Sequence, residues 1–226
     1  MPQVAPGKRN IKDARLDQVD GITKSKKKVY IQAELVGQDD ILDADAVIAP
    51  QGSAPDLVLT DLEFVENRLS KVSGGAEKEL LEKFKACLEK EQFISSLYLS
   101  DEERKAVSGY ALITIKPVII IKGEDADDLD AVVFKAFTQS GNISFFTTGE
   151  KETRAWLLKK GATAWEASGA VHSDIQRGFI RAEIISFNDF ISCGGENAAK
   201  QAGKLRLEQK DYVMQDCDLA NFRFNK

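Results

Sequence analysis

The sequence predicts two architectures in tandem: a small parallel α/β sheet carrying a helical hairpin, then an α+β module with the element order of a β-grasp. Three observations lead there. Short β-branched runs at residues 29–36, 45–50 and 116–121 alternate with helical patterns, as in a parallel sheet. Between the second and third runs, apolar residues recur at every third or fourth position along two successive segments, as on paired helices. From residue 143 onward the order becomes strand, strand, helix, strand and late strand.

Residues 1–28 are polar, and the basic run Lys24-Ser25-Lys26-Lys27-Lys28 reads as a solvated approach to a strand. Residues 29–36 alternate and end at Gly37, as a strand does. Val58, Leu62, Val65, Leu69 and Val72 form one helical seam, Ser73-Gly74-Gly75 breaks it, and Leu80, Leu81, Phe84, Cys87 and Leu88 form a second. The two seams, within a hairpin over about 56–91, are expected to pack antiparallel as a short coiled coil, its first helix roughly 25 Å long at 1.5 Å per residue. Ser100 before Asp101-Glu102-Glu103 is a helix N-cap signal, and residues 116–121 are β-branched enough for a strand buried on both faces.

In the second half, residues 143–148 and 153–158 are expected to form a hairpin around Gly149-Glu150-Lys151-Glu152. Thr163 and Glu166 have capping-box spacing for a short helix. His172-Ser173-Asp174 reads as a polar turn before a strand over 178–187, and the last strand over 219–225 is expected to set Phe222 and Phe224 on one face.

Composition narrows the classes of function. With 226 residues and 43% hydrophobic content the chain is long enough for one large or two small cores. Its net charge of -5 gives no general attraction to nucleic acid, so RNA contact would need a local basic patch. Cys87, Cys193 and Cys217 have no metal-ligand spacing and an odd count, which points to free thiols in a reducing cytoplasm. No leader-like apolar region and no membrane-length apolar run occur, so a cytoplasmic protein without membrane association is expected.

The run Phe145-Phe146-Thr147-Thr148-Gly149, then Arg154-Ala155-Trp156, His172-Ser173-Asp174, Gly178-Phe179-Ile180-Arg181-Ala182-Glu183, Ala202-Gly203-Lys204, Lys210-Asp211-Tyr212 and Phe222-Arg223-Phe224-Asn225 closely resembles the C-terminal TGS domain of the YchF / Obg-like ATPases. Ala14-Arg15-Leu16-Asp17, the segment from Asp61 to Leu69, Leu99-Ser100-Asp101-Glu102-Glu103 and Lys116-Pro117-Val118 resemble, less specifically, pieces of the family's GTPase-like domain and its inserted helical arm. The resemblance implies a reduced GTPase-like domain over 1–141 and a TGS β-grasp domain over 142–226, with the TGS domain a binding module for ribosomes or structured RNA. Trp165 stands where the family usually has Pro, and Cys217 where it usually has Gly. A turn that normally takes Gly for a positive φ is therefore expected to be relaxed or strained.

The chemistry of the implied ATPase is not spelled here. No Gly-x-x-x-x-Gly-Lys-Ser/Thr occurs, so no sequence of backbone N–H groups and lysine is laid out to hold a triphosphate. The chain has Leu35-Val36-Gly37-Gln38 at the expected switch and Lys122-Gly123-Glu124-Asp125 at the expected base-reading position. Asp39, Asp40, Asp43 and Asp45, and Glu124, Asp125, Asp127, Asp128 and Asp130, lack calcium-loop spacing and read as solvated acidic loops. The single histidine, His172, has no nucleophile elbow beside it. No catalytic residue, nucleotide-binding residue, metal or cofactor is assigned.

What remains is a set of cations in the second half. Arg154, Lys159, Lys160, Arg177, Arg181, Lys204, Arg206 and Lys210 are the candidate ribosome or RNA contacts, with Lys200 and Arg223 nearby in sequence and Phe145, Trp156 and Trp165 as candidate stacking residues. The leading expectation is a non-enzymatic ribosome- or RNA-associated protein. The alternatives are residual ATP or GTP binding, and a protein-interaction module acting through the helical hairpin.

Overall fold

The computed structural model describes residues 5–123 and 128–225. Glu34–Ser140 and the residues up to Gly7 make one compact unit; Lys8–Ala33 and the residues from Gly141 onward make the other. Residues 8–33, expected in the first domain, thus cluster with the second unit.

In the first unit β4 (Val47–Pro50) and β5 (Val118–Ile121) pair in parallel, Val47 opposite Val118 and Pro50 opposite Ile121. Val47, Ala49 and Ile119 are buried, as a covered parallel pair requires. The expected third strand of this sheet is not part of it. Residues 29–36 break at Tyr30 and Ile31 into β2 (Lys28–Val29) and β3 (Gln32–Leu35), and β3 pairs instead with β1 (Gly7–Asn10).

Helices α2 (Ala54–Leu69) and α3 (Ala76–Leu88) carry the two apolar seams. Val58 and Val65 meet Leu80, Leu81, Phe84 and Leu88 in one buried cluster, closed by Ile94, Leu99, Val107 and Leu112. Asp61 is a polar residue inside this α2 face. Its carboxylate accepts the backbone N–H groups of Ile113 and Thr114 at 2.9 and 2.7 Å and the Thr114 hydroxyl at 2.6 Å. Ser100 caps α4 (Asp101–Ala106) in a reciprocal box with Glu103, and Asp128 caps α5 (Leu129–Gln139).

The second unit is built on a six-stranded sheet with order β2-β7-β6-β10-β8-β9. The hairpin β6 (Asn142–Thr147) and β7 (Thr153–Lys159) is antiparallel, β10 (Leu219–Phe224) runs parallel to β6, and β8 (Phe179–Ile185) and β9 (Arg206–Glu208) add antiparallel. One face packs Ile143, Phe145, Leu158, Ile184 and Phe222 against α6 (Ala164–Val171), whose N-terminus carries the Thr163–Glu166 capping box.

Around the other face lies α1 (Ala14–Thr23), set against β7 and α8 (Phe187–Cys193) with Leu16 and Val19 fully buried. Beyond α1, β2 adds in parallel to β7, with Thr153 N–H donating to the Lys27 carbonyl at 2.9 Å. Of the lysine run, Lys28 lies in this edge strand, and Lys24, Lys26 and Lys27 are exposed on the approach to it.

Two local readings are corrected. His172-Ser173-Asp174 is not a turn: the His172 ring Nδ1 accepts the Asp174 N–H at 3.0 Å and caps α7 (Ser173–Arg177). The strand expected to reach residue 187 stops at Ile185, because Ser186 caps α8 through the Asp189 N–H. The last strand runs Leu219–Phe224, with Phe222 buried and Phe224 at its exposed end, where the register against β8 shifts.

Cys217 adopts φ 65°, the left-handed region where a Cβ is costly. It is buried against Ser144, whose carbonyl accepts its N–H at 2.7 Å, and burial pushes its thiol up to about 12. Cys217→Gly is expected to be about 1 kcal/mol more stable than Cys217→Ala: both lose the sulfur, but only Gly loses the left-handed penalty. Urea unfolding of the two variants checks this. Equal stabilities would show an unstrained turn.

Candidate nucleic-acid interface

Strand alternation decides where the cations of the second unit point. On β7, Arg154 shares the α6-facing side with Trp156 and Leu158, while Lys159 takes the other side. The Arg154 guanidinium lies over the Trp156 ring, 4.7 Å from its centroid, and 3.4 Å from Glu152. Trp156 in turn stacks on Phe145 with centroids 6.4 Å apart and donates its indole N–H to Thr147 at 2.9 Å. Phe145 is fully buried and offers no surface to a base. Trp165 is half-exposed; its indole N–H donates to the Gln176 carbonyl at 3.1 Å.

Several candidates are neutralised in place. Arg177 pairs with Asp174 on its own short helix. Lys204 lies 3.1 Å from Asp189. Arg206, on the α6-facing side of β9 opposite Ile184, donates to the Tyr212 hydroxyl at 3.0 Å and lies 3.5 Å from Glu208. It is also 3.8 Å from Asp218, whose carboxyl burial pushes above the usual range. Lys160 and Lys210 are exposed, and the Lys210 carbonyl accepts the Trp165 N–H at 3.1 Å.

Arg181 is different. It projects from β8 on the side away from α6, the same side as buried Glu183, and it stands opposite Arg223 of β10. The eight candidates thus occupy both sides of the sheet and its ends. Only around Arg181 do strand geometry, Arg223 and Lys200 of α9 (Glu196–Gln201) concentrate positive charge on one spot.

A second polar cluster was missed by sequence reasoning. Arg15 donates to the Asp13 carboxylate at 2.9 and 2.8 Å and to Asp216 at 2.5 Å, and Asp216 accepts the Ser144 N–H at 3.0 Å. Lys12 and Lys28 lie over the Tyr30 ring at 4.8 and 5.3 Å, and the hydrogen bond to Asp17 holds the Lys28 ammonium above its ordinary range. Nothing local signals partners some 200 residues apart; the only hint was the family-like run Ala14-Arg15-Leu16-Asp17.

Among the described residues no group of three or more His, Cys, Asp or Glu is placed to hold a metal, and no helix is long and apolar enough to cross a membrane. Glu124, Asp125 and Asp127 lie outside the described residues.

The architecture, two α/β units of which the second is a mixed sheet, is the fold of a YchF-type GTPase. The chain matches the structure of the Schizosaccharomyces pombe YchF GTPase with a TM-score of 0.74 and 20% identity, covering 98% of this chain and 88% of that one. Residues 142–225 match the family model YchF-GTPase_C, described as a protein of unknown function (DUF933). Among curated proteins, it is 32% identical to the ribosome-binding ATPase YchF of Bacillus subtilis, over 75% of this chain and 64% of that protein. It is 34% identical to the Haemophilus influenzae protein of the same name, over 75% and 64%, and 33% identical to that of Haemophilus ducreyi, over 83% and 70%. The chain belongs to the YchF family of Obg-like proteins. Its match spans 64% of the length of the first two relatives.

Proposed function

We propose that this chain docks on the ribosome through structured RNA and needs no nucleotide to do so. The observation that carries the reading is a C-terminal unit with a complete sheet and core, in a chain whose 226 residues spell no P-loop. We read that unit as a TGS-type β-grasp. In support, β7-β6-β10-β8-β9 has a parallel pair at its centre, antiparallel neighbours on both sides and α6 across one face. The α2–α3 pair is read as the family's helical arm and as a second surface, for a protein partner, with Leu59 exposed on it.

The relatives named above are called ribosome-binding ATPases. In this chain, docking is separated from hydrolysis. The alignment to the Bacillus subtilis protein runs over 235 positions, more than the 226 residues available, so the relative has stretches with no counterpart here. A cytoplasmic location accords with a ribosomal partner.

Co-sedimentation with ribosomes through a sucrose cushion tests the reading. The protein is expected in the pellet without nucleotide at low salt, with affinity falling about tenfold between about 50 and 200 mM KCl as a few phosphate contacts are screened. Mg-ATP and Mg-GTP at millimolar concentration are expected to leave the melting temperature unchanged. Protein in the supernatant at both salts overturns the proposal.

A further inference from the structure

The register of β8 and β10 puts two arginines directly across from each other, Arg181 opposite Arg223. Directly opposed residues have Cβ atoms about 4.5–5.5 Å apart, where like charges repel. Only one of the two is compensated. Arg223 donates through Nε to Glu183 at 3.0 Å and through a second guanidinium N–H to the same oxygen, while Asn221 donates to the other Glu183 oxygen at 2.9 Å. Glu183 is buried and its two oxygens are engaged on the β10 side. Arg181 is exposed, and among the described residues no ion pair is formed by it.

Lys200 adds a third cation. It pairs with Glu196 at 2.6 Å, and it is close enough to feel both the attraction of Glu183 and the repulsion of Arg223. Three cations against two carboxylates leave an excess of positive charge, in a chain whose net charge is -5. The site is also braced. The strand register shifts immediately after Arg223, and the Asn225 N–H donates to the Gly178 carbonyl at 2.9 Å. A Cβ at Gly178 would fall 1.9 Å from the Asn225 carbonyl oxygen, so glycine is what lets the start of β8 meet the end of β10. Strand bulges of this kind re-aim the side chains beside them.

We propose that Arg181 and Arg223 are the two jaws of a clamp for one phosphodiester of an RNA strand. The inference rests on the RNA-docking reading above and names the contact. A guanidinium presents a planar fork that matches phosphate oxygens. Glu183 orients Arg223, the donors of Arg181 face solvent, and a phosphate between the two converts their repulsion into shared attraction. An acidic peptide is the competing occupant; it lacks the regular charge spacing that gives nucleic-acid binding its steep salt dependence.

The test uses the full chain and a fluorescent single-stranded RNA of mixed sequence, with anisotropy read across a KCl series for wild type, Arg181→Gln and, as a control on the other unit, Lys105→Gln. Arg181→Gln is expected to melt at the same or a higher temperature, since it removes a repulsion. It is expected to bind RNA about fivefold more weakly, with a log–log salt slope shallower by about 0.7, the share of one phosphate on a single strand. Lys105→Gln is expected to match wild type. Unchanged affinity and slope in Arg181→Gln overturn the clamp, and so does displacement of the RNA by an acidic peptide of equal charge. A wild-type chain that pellets with ribosomes but does not bind the RNA overturns the clamp and leaves the docking reading standing. A chain that does neither removes both.

Discussion

Asp61→Ala is expected to destabilise the first unit by about 4 kcal/mol. The carboxylate sits fully buried on α2 and serves three donors of the 113–114 backbone and the Thr114 side chain. Truncation leaves the buried Thr114 N–H and the part-buried Ile113 N–H without an acceptor, each costing about 1–3 kcal/mol. Part of the loss is offset because a buried carboxylate is itself costly to desolvate. Asp61→Asn, which keeps one acceptor oxygen but turns an NH2 towards a donor, is expected to fall between. Urea unfolding followed by far-UV circular dichroism measures both. A loss below about 1 kcal/mol for the Ala variant would mean that water takes the carboxylate's place.

The second large effect lies in residues 8–33, which cluster with the second unit. Leu16 is fully buried, on a helix packed against β7 and α8. Leu16→Ala is expected to cost the C-terminal unit about 3 kcal/mol, the usual price of a buried leucine truncation. Its signature is spatial: amide exchange is expected to quicken in β6 and β7, more than 120 residues away in sequence, while α2 and α3 keep their protection. Protection unchanged in β6 and β7 would show that α1 merely rests on the sheet.

What could be read from sequence was local. The Ser100–Glu103 and Thr163–Glu166 boxes were legible because cap and acceptor lie three residues apart. The α2 and α3 seams were legible because helical periodicity repeats over four turns. Residues 8–33 were not. Leu16 and Val19 are the two buried positions of a helix whose apolar residues are few and scattered, and what buries them is a sheet encoded more than a hundred residues later. The basic residues were legible as a list but not as a site, because Arg181 and Arg223 acquire their meaning only from the cross-strand register. Sequence marked Cys217 as a departure from a glycine turn, and its positive φ of 65° is the physical content of that departure.

The two-piece construction of the C-terminal unit also bears on how the protein is made. At about 5–20 residues per second, α1 and β2 leave the ribosome roughly 6–25 seconds before the strand they join. During that interval Leu16 and Val19 have no native burial available, and they are open to chaperones. The strand that joins the two halves of the sheet, β10 between β6 and β8, is synthesised after every other strand of it. The sheet therefore cannot close before residues 219–224 are made, because β10 is the strand that pairs with both β6 and β8.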